Sequence, residues 1–147
     1  MGLDMYLTKE LYVSKYSEEG IKVRAMIDSI AGLKKMGTIE SLVFEVAYWR
    51  KANHIHNWFV NNVQDGVDEC IKTWVGTEKL GELLALCKAV LKDHSKAEAL
   101  LPTVSGFLFG STEYDDAYYI DIKDTITMIE AELLVTNGCE YYYCSSW

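Results

Sequence analysis

The densest run of side chains able to do chemistry lies between residues 44 and 66, FEVAYWRKANHIHNWFVNNVQDG, where aromatic, basic, imidazole and amide groups crowd together. Read as a helix over residues 49–63, its apolar positions Trp49, Ala52, His56, Phe59, Val60 and Val63 form one stripe, widened by Tyr48 and Ile55. The opposite face then carries Arg50, Lys51, Asn53, His54, Asn57, Trp58, Asn61 and Asn62. On such a face Arg50 and Lys51 would meet anionic oxygens, Asn53, Asn57 and His54 would supply directional hydrogen bonds, and Trp58 or a tyrosine would stack on a base. A large indole on the polar side is either covered by another element or presented to a partner.

His54 and His56 suggest metal binding, but residues two apart on a helix point about 200° apart and cannot share an ion. No metal or cofactor is therefore expected. His56 reads as a hydrogen-bonded core histidine, and His54 as the one that titrates in contact with water.

A second distinctive stretch, residues 105–119 (SGFLFGSTEYDDAYY), places Glu113, Asp115 and Asp116 together. Thr112 followed by Asp115 resembles a capping box, and acids in a first helical turn suit the helix dipole. The functional alternative is a carboxylate pair doing acid–base work, which requires a raised pKa. With His54 near Asp115 or Asp116 the site could hydrolyse its ligand, although no residue is assigned a catalytic role.

The elements that must hold these groups are uneven in clarity. Residues 3–9 alternate as a strand, residues 11–16 offer a second extended piece to pair with it, and residues 17–20 form a polar turn. Residues 21–33 fit both periods, and their first half is read as strand. Residues 38–46 are read as a helix capped by Thr38 and joined to the 49–63 helix, although ESLVFEV also suits a buried strand. Gln64-Asp65-Gly66 marks a turn, residues 69–75 a strand and residues 77–92 a helix with Leu80, Leu83, Leu84, Cys87, Val90 and Leu91 on one stripe. Ser95 and Glu98 have capping-box spacing for a short helix ended by Pro102. Phe107 and Phe109 suggest a short buried strand. A final helix over residues 115–135 buries Tyr118, Ile122, Ile126, Ile129 and Leu133, and after Asn137-Gly138 the tail CEYYYCSSW reads as a terminal strand. Together these predict one compact α+β domain over residues 1–147, with an antiparallel or mixed sheet of about four or five strands and three main helices.

Composition narrows the function classes. The chain has 147 residues, half of them hydrophobic, so it can bury a real core and is not disordered. A net charge of −8 argues against direct nucleic-acid binding, which rests on clustered Lys and Arg. Cys70, Cys87, Cys139 and Cys144 lack CxxC spacing and read as reduced core thiols. With neither a basic leader nor an apolar run of membrane-spanning length, a cytoplasmic location without membrane attachment is expected.

The opening MGLDMYL, the segment VAYWRKANHIHNWFV followed by QDG, the LP and SGFLFGSTEYD runs, and the CSSW ending together resemble a family of small bacteriophage and prophage proteins. The resemblance spans nearly the whole chain. It implies a viral or prophage origin and residence in the host bacterial cytoplasm, but it brings no activity with it. P-loop, GxGxxG, HExxH, nucleophile-elbow and zinc-finger patterns are absent from the sequence.

The leading expectation is a small acidic binding protein that contacts a host or anti-phage defence protein, with Glu113, Asp115, Asp116, Asp121 and Asp124 facing a basic groove. The alternative is a protein that binds, or hydrolyses, a nucleotide or phosphate-bearing metabolite on the 49–63 helix. In a third reading the segment is architectural, with Arg50 and Lys51 pairing to acids of the last helix.

Overall fold

The computed structural model describes residues 2–135 and 138–147. Its strands are β1 (Asp4–Tyr12), β2 (Ser41–Arg50), β3 (Thr73–Val75) and β4 (Glu140–Ser146). Its helices are α1 (Glu18–Ser29), α2 (Asn53–Val63), α3 (Thr77–Lys92), the short α4 (Ala97–Leu100) and α5 (Asp116–Leu133). The strands form one antiparallel sheet in the order β2-β1-β4-β3, which makes this an α+β domain.

Alternation along β1 sends Leu3, Met5 and Leu7 into the core and Asp4, Tyr6 and Thr8 to the other face. Ala47 and Trp49 of β2, with Tyr141 and Tyr143 of β4, extend the buried face. Phe59 of α2 stacks on Tyr143 with ring centroids 4.0 Å apart. The Trp49 indole donates to Thr125 Oγ1 at 2.8 Å, tying β2 to α5. Leu80, Leu83, Cys87 and Val90 of α3 and Ile122 and Ile129 of α5 complete the core. Burying each such side chain contributes about 1.5–3 kcal/mol before the entropy of ordering it is subtracted.

The helix read over residues 38–46 is a strand. β2 pairs with β1 along its whole length, and Val46 is an extra residue there, with Leu7 opposite Ala47 and Thr8 opposite Glu45. That bulge breaks the two-residue alternation, so β2 does not read cleanly as a strand. The helix read over residues 49–63 begins only at Asn53, leaving Trp49 and Arg50 on β2.

Residues 18–29, read partly as strand, are helical. Ser17 caps them by accepting from the Gly20 N–H at 3.1 Å. Among the described residues α1 thus joins α2, α3 and α5 as a long helix, one more than the three main helices expected. Residues 11–16 form no second strand, because β1 itself runs on to Tyr12, and β3 is shorter than the 69–75 expected.

The Phe107–Phe109 strand is also absent. Phe109 is buried, but Phe107 is 83% exposed on a loop. Asp115, not Thr112, caps α5 by accepting from the Tyr118 N–H, and Asp93 rather than Ser95 caps the turn before α4. Among the thiols only Cys87 is a core residue, the other three being half-buried. The turn expected at Asn137-Gly138 begins outside the described residues. No described helix is long and apolar enough to cross a membrane.

Candidate functional site

The site grows from the turn that joins β2 to α2. Lys51 takes a left-handed conformation (φ 62°), and its N–H donates to the Leu3 carbonyl at 2.8 Å, so the chain reverses from strand into helix within two residues. Asn53, the first residue of α2, then spends its whole amide on the loop over residues 103–111. Its Nδ2 donates to the Phe109 and Ser111 carbonyls at 3.2 and 2.8 Å, and its Oδ1 accepts from the Val104 N–H at 3.0 Å. Gly110 (φ 95°) crosses so close that a Cβ there would lie 3.0 Å from the Lys51 Cβ.

This clamp leaves a cleft of about 240 Å³ between the start of α2 and the start of α5, lined among others by Arg50, Lys51, His54, Glu113, Asp115 and Asp121. His54 is 2% exposed, its ring 4.2 Å from that of Tyr118, and its Nε2 has no partner among the described residues. Burial pulls its pKa down to about 3, so the ring is neutral at ordinary pH. Burial, and then the charges of Asp124 and Asp115, push the Asp121 carboxyl up to about 6. Arg50 lies 3.8 Å from Asp4 and is half exposed.

Six of the sequence-predicted residues thus meet at one cleft: Arg50, Lys51, Asn53, His54, Glu113 and Asp115. Three do not. Trp58 is 6% exposed and packs edge-on against Phe59 at 5.2 Å, so it cannot stack on a base. Asn57 turns away and donates to the Pro102 carbonyl. Asp116 is exposed at the start of α5, outside the cleft lining.

The outward-facing polar surface expected along α2 is reduced to its far end at Asn61 and Asn62, because the 103–111 loop and α5 cover Asn53 and His54. His54 accordingly does not titrate against bulk water. Arg50 and Lys51 form no ion pair with α5 among the described residues, which removes the architectural pairing. His56 is the hydrogen-bonded core histidine expected, held by Tyr143 and Asp68.

Sequence reasoning missed Tyr118 as a cleft residue and read Asp121 only as part of an acidic surface for a basic partner, although their three-residue spacing puts the two on one helical face. It also missed Gly110 and Ser111, for which nothing local gives a signal. Chemically, the cleft offers two cations, a neutral imidazole and a carboxylate whose pKa suits proton transfer near neutrality. His54 itself, near 3, is too weak a base to lead such chemistry. No protein-family model, curated protein or solved structure matches the chain.

Proposed function

We propose that this chain binds a small metabolite carrying a phosphate or carboxylate group in the His54 cleft. The observation that carries the reading is the unpartnered Nε2 of a buried histidine on the cleft wall. An orphaned buried polar atom costs about 1–3 kcal/mol, a cost that a bound hydrogen-bonding group removes. Arg50 and Lys51 supply the charge for the anion, and Asp121 a base beside it. The volume falls below the roughly 300–1,000 Å³ of pockets for drug-sized ligands, which favours a small metabolite over a whole nucleotide.

Titration calorimetry and thermal shift with inorganic phosphate and with small carboxylates test the reading. Ligand at a hundred times its Kd should stabilise the fold by about 2.7 kcal/mol. Lys51→Asn tolerates the left-handed backbone and should weaken binding about tenfold. Undiminished affinity in both Lys51→Asn and His54→Phe, or no binding at all, counts against it.

A second reading keeps the protein-contact role, directed at a host or defence component as the phage resemblance suggests. It is favoured by the outer sheet face, where Tyr6 and Tyr48 lie 5.3 Å apart and Trp74 is 58% exposed. On the same face the Lys72 ammonium sits 4.4 Å over the Tyr142 ring and pairs with Glu10, a contact that a basic partner could imitate. A Trp74→Ser, Tyr48→Ser variant should lose a salt-releasable host partner that the parent retains. Equal retention by the two would dispose of this reading.

A further inference from the structure

Across the 103–111 loop from the His54 cleft lies a second, larger cavity of about 480 Å³, whose chemistry differs. Its back wall is a buried relay. The Tyr143 hydroxyl donates to His56 Nδ1 at 2.7 Å, His56 Nε2–H donates to Asp68 Oδ2 at 2.9 Å, and the Trp147 indole N–H donates to Asp68 Oδ1 at 3.1 Å. The tautomer follows from the partners, since a carboxylate can only accept. Asp68 is thus occupied on both oxygens, and no Lys or Arg lines the cavity among the described residues. An anion finds nothing to pair with there, so the occupant carries no negative charge.

The rest of the lining is aromatic and amide, with Val60, Val104 and Ser105 among it. Phe107 stands 83% exposed at the rim, and Trp147, half exposed, lies edge-on to the buried Phe109 with ring centroids 6.0 Å apart. Leu108 holds this rim in a left-handed conformation (φ 62°) that a branched side chain adopts only under constraint. The loop maintains an apolar ring in water beside an open cavity, where burying it would relieve its exposure. On the α2 side, Asn61 Nδ2 donates to Asn57 while Asn61 Oδ1 has no partner among the described residues, nor has the Ser105 hydroxyl. An aromatic rim with exposed amide and hydroxyl groups in the same lining suits a flat ring that has donors and acceptors along its edge.

We infer that the cavity between α2 and the 103–111 loop is a second binding site, which takes a neutral heteroaromatic ring of the nucleobase type between Phe107 and Trp147. The site is independent of the His54 cleft and does not rest on that assignment. The ring meets the aromatic rim with its faces and Asn61 and Ser105 with its edge, and an added phosphate gains nothing.

The test is a two-dimensional ¹H–¹⁵N NMR titration of the full chain with adenosine, guanosine, cytidine and uridine. The reporter is the Trp147 indole N–H, identified as the peak lost in Trp147→Phe. At least one nucleoside should move that peak saturably, and its 5′-monophosphate should bind no tighter. Phe107→Ala, at a position too exposed to unsettle the core, should weaken binding about tenfold. Lys51→Asn should leave it unchanged, which separates this site from the other cleft. The inference is overturned if no nucleoside shifts the peak, if Phe107→Ala binds as well as the parent, or if the monophosphate binds markedly tighter.

Discussion

His54 and Asp121 share a cleft but respond to acid in opposite senses. The unfolded chain protonates His54 near 6.5, whereas the folded chain resists until about 3, so His54 makes stability fall as pH drops below 6.5. The slope is about 1.4 kcal/mol per pH unit. Asp121 runs the other way: folded it takes a proton near 6, unfolded only near 3.9, so it favours the folded state as pH falls between those values. Its contribution is smaller, since the side chain is partly exposed and screened. Urea titrations from pH 7 to 4 should therefore show a shallow acid loss in the parent, a steeper one in Asp121→Asn and a gain in His54→Phe. Parallel curves for all three would show that neither group senses its burial. The types of these residues were legible in the sequence. Their environment was not, because the groups that bury His54 come from a loop and a helix more than fifty positions away.

Individual elements tell the same story through their neighbours. Asn53 makes three hydrogen bonds to one loop, so Asn53→Ala should destabilise the domain by roughly 2–3 kcal/mol and speed proteolysis within residues 103–111. Gly20 offers a sharper sign test. Replacing a helical glycine by alanine ordinarily stabilises by up to about 1 kcal/mol, but here the new Cβ would meet the Ser14 carbonyl oxygen at 1.9 Å. Gly20→Ala should instead lose roughly 1–3 kcal/mol, as overpacked sites do, and a raised Tm would refute the contact. α3 matched its sequence reading at both ends because its leucine stripe and end charges agree with burial. β2 did not, since its bulge at Val46 hides the alternation. α1 was obscured by the chance alternation of Ile21, Val23, Ala25 and Ile27, although the Ser17 cap was present to be read.

At the scale of the molecule, packing is uneven. Gly20 is the one residue of α1 that is buried, while Ile21 and Met26 are 54% and 69% exposed. Hydrogen exchange should therefore release the amides of α1 well before those of α3 and α5, whose inner faces are sealed. Simultaneous exchange of all three helices would contradict this. Fold class was legible from composition, the first strand and α3. The convergence of six candidate residues on one cleft was only half legible, because the sequence placed Arg50 and Lys51 on a helix that in fact begins at Asn53.

The 103–111 loop is a party wall, with one cleft on each side and Asn53 tying it to α2. An occupant that left the wall where it stands would leave the other room as it was; one that shifted it would be felt next door, and by reciprocity the second occupant would act on the first in equal measure.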